Sequence, residues 1–184
     1  MKKIYLIRHG ETEWSKSGRH TSYSDLELTK EGSNECLLLK QTLPKFDQVF
    51  ISPLKRAQLT SKILNLHGST LKELTEWNYG IYEGKTTEEI RQSVKDWNIF
   101  THGALFGETL EEVEARAKKV LSLIKNLEGA ICLVSSGHFI RVLIAVYLNQ
   151  PCSFGKHLVI STGSMTILSH DKGYSTIELL NQKA

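Results

Sequence analysis

Residues 130–148 read AICLVSSGHFIRVLIAVYL, a stretch that combines a buried strand, a tight turn and an apolar helix. Its first six residues, 130–135, are apolar apart from the last, as expected for a strand covered on both faces. The chain then turns through Ser136 and Gly137 into a helix predicted to run to Leu148, before Pro151. A strand followed directly by a helix is the unit of parallel sheets, so this stretch indicates an α/β fold.

The same alternation of strands and helices extends through the rest of the chain. Apolar or alternating runs predict further strands over residues 3–7, 47–51, 163–169 and 175–180. Together with the intervening helices they predict one domain over residues 1–184. Its expected architecture is a largely parallel sheet covered by helices on both faces.

The helix boundaries are predicted from capping residues. Thr29 is the expected N-cap of a helix over residues 29–43, and Ser52 followed by Pro53 is expected to begin a helix that ends near Leu66. Two capping boxes predict further helix starts, formed by the pairs Thr86 with Glu89 and Thr109 with Glu112.

Composition excludes several classes of protein. Hydrophobic residues make up 40% of the 184 residues and charged residues 23%, which is typical of globular rather than disordered chains. The apolar run at residues 4–7 is too short for a signal peptide, and no run is long enough to cross a membrane. A net charge of only +3 gives no reason to expect nucleic acid as a partner. Because neither a signal peptide nor a membrane span is predicted, we expect no membrane partner and a cytoplasmic location.

Cysteine and histidine spacing gives no sign of a metal. The three cysteines are far apart in the chain and form no CxxC pair, so neither a disulfide framework nor a zinc site is predicted. His20, His67, His102, His157 and His170 share no spacing suited to a metal. His20 and His102 are left open between lining a substrate and lying in polar loops. We predict no metal and no cofactor.

Three polar clusters directly follow predicted strands: residues 8–10, 52–56 and 136–138. In parallel sheets ligands bind beyond the carboxyl ends of the strands, so the three clusters are expected to meet at one edge. They would bring together Arg8, His9, Arg56 and His138. Arginines and helix N-termini bind phosphate well, so this edge is predicted to hold a phosphoryl group.

His9 is the candidate nucleophile of this predicted site. Neighbouring arginines disfavour the imidazolium form, so the ring is expected to stay neutral and reactive near neutral pH. The departing alkoxide needs a proton, and the carboxylates available to supply it are Glu11, Glu73, Glu76, Glu83 and Glu108. Glu76 is favoured because it lies among aromatic residues that would partly withdraw it from water.

Five blocks of the chain together resemble the histidine phosphatase superfamily, the phosphoglycerate-mutase-like clan. They are RHGETEW at 8–14, SPLKRAQLT at 52–60, EWNYGIYEG at 76–84, GETLEEVEAR at 107–116 and SSGHFIR at 135–141. They appear in the family's order and roughly its spacing. The resemblance implies a three-layer sandwich with a mostly parallel central sheet. Within the clan, the chain looks most like small bacterial acid phosphatases and sugar-bisphosphatases.

The resemblance also implies roles for individual residues. His9 becomes the phosphorylated nucleophile and Glu76 the proton donor, while Arg8, Arg56 and His138 form the phosphate pocket. Further positions are expected on the substrate side: Ser15, Thr21, Ser22, Tyr79 and Gly137. The implied activity is hydrolysis of a small phosphorylated metabolite through a phosphohistidine, with inorganic phosphate as product.

Two other functions remain open at this point. A cofactor-dependent phosphoglycerate mutase usually has Glu-Arg-His-Tyr where this chain has residues 76–79, and it carries an arginine pair that is missing between Gly84 and Gly107. A non-catalytic phospho-ligand-binding protein would be expected to have lost a catalytic position, and none of the five blocks has done so. Whether the chain forms a homodimer is not indicated by the sequence.

Overall fold

The computed structural model of the protein describes residues 2–183. Its strands are β1 (Lys3–Arg8), β2 (Gln48–Ile51), β3 (Ser69–Thr70), β4 (Ala130–Ser135), β5 (Met165–Asp171) and β6 (Tyr174–Gln182). Its α-helices are α1 (Glu13–Lys16), α2 (Lys30–Lys40), α3 (Lys55–Leu64), α4 (Thr87–Arg91), α5 (Ile99–His102), α6 (Leu110–Leu123) and α7 (Gly137–Tyr147). Short 3₁₀ turns cover Lys72–Leu74, Gly80–Tyr82 and Cys152–His157. The predicted domain included Met1 and Ala184, which lie outside the described residues.

The strands form one sheet in the order β3-β2-β4-β1-β5-β6. The four strands from β3 to β1 are parallel, whereas β5 pairs antiparallel with β1 and β6 pairs antiparallel with β5. The two central strands, β1 and β4, correspond to the strands predicted over residues 3–7 and 130–135. The predicted α/β fold with a mostly parallel sheet is therefore confirmed.

Side chains of β1 alternate between the two faces of the sheet. Ile4 and Leu6 contribute to a core under α6 and α7, whereas Tyr5 and Ile7 contribute to a second core under α2 and α3. All four are buried. Because successive residues of a strand point to opposite faces, this alternation places a helical layer on each side and gives the three-layer arrangement.

Most predicted helix starts are correct, but the start of α3 is not. Thr29 caps α2, and both predicted capping boxes are present. Ser52 is not the N-cap, because Leu54 occupies that position and makes no side-chain capping bond, while the hydroxyl of Ser52 accepts the N–H of Leu54. The helix begins only at Lys55.

The end of α3 also lies earlier than predicted. The helix stops at Leu64, because Asn65 adopts a left-handed conformation with φ of 57°. The two-residue strand β3 was not predicted at all. Within residues 2–183, no helix is both long and apolar enough to cross a bilayer.

Candidate active site

The carboxyl ends of the central strands open into a cavity of about 190 Å³. Arg8 lies opposite Ser135 in the β1–β4 register, and the N–H of His9 donates to the Ser135 carbonyl at 3.1 Å. This pairing places the predicted polar cluster at residues 8–10 next to the one at residues 136–138. The cavity is lined by Arg8, His9, Thr12, Ser15, Gly18, Arg19, His20, Thr21, Glu76, Tyr79, Gly137, His138 and Arg141.

His9 is buried at the end of β1, where hydrogen bonds on both ring nitrogens hold the imidazole. Its Nδ1 lies 2.8 Å from the carbonyl oxygen of Gly10, so Nδ1 carries the proton and donates it. Nε2 is then an acceptor, and it accepts from Nε of Arg56 at 3.2 Å. Burial, followed by the charges of Arg56 and Arg8, lowers the pKa of His9 well below its ordinary value. The result is a neutral imidazole with its lone pair on Nε2.

Gly10 is the residue that allows this geometry. A Cβ at position 10 would lie 2.4 Å from the carbonyl oxygen of Gly32 in α2, a distance that no side chain tolerates. The N–H of Gly10 donates to the hydroxyl of Thr60 in α3 at 3.0 Å. The turn after β1 is therefore fixed against two helices, and with it the carbonyl that orients His9.

Arg8 and Arg56 are both held by backbone carbonyls. Arg56 is almost fully buried and donates to the carbonyls of Ser24, Thr21 and Ser22 at 3.0–3.2 Å. Arg8 donates to the carbonyl of Ile160 at 2.6 Å. Arg56 contacts His9 although it does not line the cavity, and Arg8 lines the cavity directly. Carbonyl partners orient a guanidinium without neutralising it, so both arginines keep a positive charge at the site.

His138 lies in the first turn of α7 and shares a hydrogen bond with Tyr79, whose hydroxyl contacts Nδ1 of the ring. Burial, followed by the charges of Arg141, His20 and Arg8, lowers the pKa of His138 well below its ordinary value. Burial raises the pKa of Tyr79 well above its ordinary value, so the phenol keeps its proton. A neutral phenol donating to Nδ1 leaves the proton of His138 on Nε2, where it is a hydrogen-bond donor.

Glu76 lies between the 3₁₀ turn at Lys72–Leu74 and the start of α7. Its carboxylate accepts the N–H groups of Trp77, His138 and Phe139 at 2.8, 3.0 and 2.8 Å. Two of these donors belong to the first turn of α7, which has unpaired N–H groups to offer. Glu76 is thereby fixed beside His138, and it lines the cavity.

The other candidate acids have partners elsewhere, and none of them lines the cavity within residues 2–183. Glu108 pairs with Arg116 at 2.6 Å, and Glu73 pairs with Lys119 at 2.5 Å. Glu83 accepts the backbone N–H groups of the 22–24 loop, and Glu11 accepts the hydroxyl of Thr29. Among the predicted donors, Glu76 alone is in position to reach a bound group.

The residues predicted for the substrate side are only partly at the cavity. Ser15, Thr21, Tyr79 and Gly137 line it, but Ser22 does not. The hydroxyl of Ser22 donates to Glu83 at 2.5 Å, so its side chain supports the loop whose carbonyls hold Arg56. Ser22 is therefore not among the lining residues, and its predicted place on the substrate side stays a prediction.

Of the two histidines left open, His20 lines the cavity and His102 does not. His20 stacks near Tyr79, with ring centroids 4.8 Å apart, and burial lowers its pKa to about 4. His102 is exposed at the end of α5.

Sequence reasoning missed Thr12, Gly18, Arg19 and Arg141 as lining residues. A usable signal existed for Arg141, because it follows His138 by three positions in a predicted helix and therefore shares its face.

The chain is similar to known proteins along most of its length. A model of the histidine phosphatase superfamily (branch 1) matches residues 4–183. An acid phosphatase of Mycobacterium tuberculosis is 36% identical over 188 residues, covering 97% of this chain and 91% of its own. A phosphoglycerate mutase of Bartonella tribocorum, dependent on 2,3-bisphosphoglycerate, is 36% identical over 130 residues, covering 61% of this chain and 63% of its own.

A solved structure is also similar along nearly the whole chain. It is that of an open reading frame of Mycobacterium tuberculosis, which superposes with a TM-score of 0.95 at 34% identity and covers 98% of this chain and 97% of that one. The family model spans almost all of the described residues, including His9, Arg56, Glu76 and His138. The chain therefore belongs to the histidine phosphatase superfamily.

Proposed function

We propose that the protein hydrolyses small phosphate monoesters through a phosphohistidine formed on His9. One observation carries the proposal: an unprotonated Nε2 of a buried histidine lies beside two arginines, a neutral histidine donor and one carboxylate. This set supplies a nucleophile, a cradle for phosphoryl oxygens and a proton carrier. The cavity of about 190 Å³ suits a small metabolite.

In the first step, Nε2 of His9 attacks phosphorus and the bond between phosphorus and the ester oxygen breaks. Glu76, protonated at this stage, gives its proton to the departing oxygen, and the alcohol leaves. Arg8, Arg56 and His138 donate hydrogen bonds to the phosphoryl oxygens, where negative charge is spread in the transition state. The fixed guanidinium groups supply this stabilisation without reorganising.

In the second step, a water molecule attacks phosphorus and the bond to Nε2 breaks. Glu76 is now a carboxylate and accepts the proton of the attacking water, which restores both the acid and the neutral imidazole. Inorganic phosphate is released. The carbonyl of Gly10 supports both steps because it keeps the other proton of His9 on Nδ1.

Glu76→Gln tests the proposed proton donor. An alkyl phosphate has a poor leaving group, so we expect kcat for glycerol phosphate to fall by about 10²–10⁴. p-Nitrophenol leaves without a proton, so the first step on p-nitrophenyl phosphate is expected to survive and phosphoenzyme to accumulate. Rapid-quench measurement of the burst of p-nitrophenol follows this step. Equal losses for the two substrates, with no burst, would contradict the role of Glu76.

Glu73→Gln is the matched control for this experiment, since Glu73 lies in the same segment but pairs with Lys119. His9→Ala is expected to abolish both the burst and steady-state phosphate release. A His9→Ala variant that still releases phosphate would overturn the proposed nucleophile.

The mutase remains the second candidate function, and the identity to a mutase over 130 residues favours testing it directly. Incubation with 3-phosphoglycerate and 2,3-bisphosphoglycerate separates the two activities. Release of inorganic phosphate supports the phosphatase, whereas conversion to 2-phosphoglycerate without free phosphate would establish the mutase.

The proposal includes a cytoplasmic location, which is supported by three buried cysteines with free thiols. We propose a reaction without a metal or a cofactor, because the arginines carry the positive charge that a metal ion supplies in other phosphoryl-transfer sites.

A further inference from the structure

Arg141 projects from an otherwise apolar helix into the cavity. In α7 the six residues around it, Phe139, Ile140, Val142, Leu143, Ile144 and Ala145, are all fully buried. Arg141 follows Gly137 by four positions and His138 by three, so the three residues share one helical face and line the cavity together. An arginine at this position gives the core no packing that an apolar side chain would not give.

The guanidinium of Arg141 lacks the partners that hold the other arginines of the site. Its Nε is buried without a hydrogen-bond partner in the part of the chain that the structure describes, as is the Nε of Arg8, but Arg8 still donates through Nη1 whereas Arg141 donates no side-chain hydrogen bond among these residues. Arg8 and Arg56 donate to carbonyls, and Arg19 pairs with Glu89 at 3.1 Å. Arg141 forms no ion pair among residues 2–183, and its nearest aromatic contact is Phe100, with Cζ 5.8 Å from the ring centroid.

A count of charges shows what this arginine is free to bind. A phosphate monoester carries a charge of about −2 near neutral pH. Arg8 and Arg56 together balance that charge while Glu76 is protonated for the first step. Arg141 is then left with one positive charge and no counterion. A partly buried cation without a partner is costly, and that cost is relieved when an anion binds.

We propose that Arg141 binds a second anionic group of the substrate, a carboxylate or a further phosphate, on the leaving-group side of the transferred phosphoryl group. The inference rests on the proposed function and narrows its substrate class to metabolites with two anionic ends. Arg141 lies about one helical turn beyond His138 on the same face of α7, and it is not among the charges that lower the pKa of His9, so we place it in the part of the cavity away from the nucleophile. A carboxylate or phosphate would accept from its Nε in a charge-assisted hydrogen bond.

Two nearly isosteric esters isolate this contact. 3-Phosphoglycerate and glycerol 3-phosphate differ only at the far carbon, which is a carboxylate in the first and a hydroxymethyl group in the second. We expect Arg141→Met to lower the ratio of their kcat/KM values by about ten- to hundredfold, the usual effect of losing a hydrogen bond to a charged group. Arg141→Lys keeps the charge and is expected to retain part of the preference. Fructose 1,6-bisphosphate tests whether a second phosphate is bound in the same way.

Equal losses of kcat/KM for both esters would mean that Arg141 holds the transferred phosphoryl group, and no loss for either ester would mean that it binds neither group. Either result overturns the inference. Thermal unfolding of each variant shows whether a loss comes from misfolding.

A binding experiment keeps this test separate from the proposed chemistry. His9→Ala, with and without Arg141→Met, is titrated calorimetrically with the same two esters. A preference for 3-phosphoglycerate that disappears with Arg141→Met supports the inference even if the wild-type protein hydrolyses neither ester. Equal affinities for the two esters in His9→Ala would overturn it.

Discussion

The reactivity proposed for His9 depends on which of its ring nitrogens carries the proton. The Gly10 carbonyl takes the proton on Nδ1, and the Arg56 contact marks Nε2 as the acceptor. The lone pair that Arg56 occupies is the one that must attack phosphorus. A bound phosphoryl group would therefore replace His9 as the acceptor for Nε of Arg56, which frees the nucleophile when substrate arrives.

The hydroxyl of Tyr79 fixes the tautomer of His138, as the Gly10 carbonyl fixes that of His9. We expect Tyr79→Phe to lower kcat about tenfold, because without the hydroxyl the proton is no longer confined to Nε2. The ¹⁵N chemical shifts of His138 report the tautomer directly and should change from one form to a mixture. Tyr82→Phe is the control, since Tyr82 packs on Trp97 and does not contact His138. An unchanged His138 tautomer in Tyr79→Phe would count against this role.

His20 makes the stability of the fold depend on pH. Burial lowers its pKa from 6.5 to about 4, so between these values the unfolded chain binds a proton that the folded protein does not. The free energy of unfolding therefore decreases as the pH falls below 6.5, by about 3 kcal/mol at pH 4 from this residue alone.

Urea unfolding of the wild-type protein and of His20→Gln at pH 7 and pH 4.5 measures this contribution. The free energy of unfolding should fall less in His20→Gln than in the wild type between pH 7 and pH 4.5. His170→Gln, at an exposed position, is the control and should show the same fall as the wild type. Equal losses in the wild type and His20→Gln would show that His20 does not titrate in this way.

At the scale of the element, the first residue of α7 packs closely against the guanidinium of Arg8. A Cβ at Gly137 would lie 3.0 Å from Cζ of Arg8 and 3.1 Å from its Nε. We expect Gly137→Ala to lower kcat/KM at least tenfold, because the guanidinium must shift by a few tenths of an ångström.

The stability of Gly137→Ala should change by less than about 1 kcal/mol, since alanine favours the helix. Urea unfolding and steady-state kinetics of one sample check both expectations. Full activity with normal stability would show that Arg8 has room to move.

The elements that could be predicted from sequence are those specified by local pattern. Thr29 and Thr109 cap helices through side-chain bonds to residues three positions later, which the sequence shows directly. The start of α3 could not be predicted in this way, because the hydrogen bond of Ser52 to Val134 depends on a strand eighty residues away. β3 has two residues and therefore no pattern of its own.

The same distinction applies to the site. His9, Arg8 and His138 follow apolar strands, so their meeting could be inferred from the sheet. The orientation of Ser22 toward Glu83 depends on how two loops pack, and no spacing in the sequence encodes it. Arg141 was missed although its spacing places it on the same helical face as His138. The feature that draws attention to it, a buried guanidinium nitrogen without a partner, is visible only in the structure.

At the scale of the whole molecule, β1 lies in the centre of the sheet, although it comes first in the chain. Its neighbours are β4 and β5, formed by residues 130–135 and 165–171. The site draws on distant parts of the chain. Its nucleophile follows β1, and the segments that surround it contain Arg56, Glu76 and His138. The site is therefore a property of the assembled sheet rather than of any local motif.

This central position of the first strand has a consequence for the order of events as the protein is synthesised. β1 is synthesised more than a hundred residues before either of its partners, so its two edges and its apolar faces stay open until those partners emerge. Pairing must then close long loops, which is intrinsically slow. An unpaired apolar strand favours aggregation, so we expect that shielding residues 3–8 until β4 has been synthesised raises the yield of folded protein.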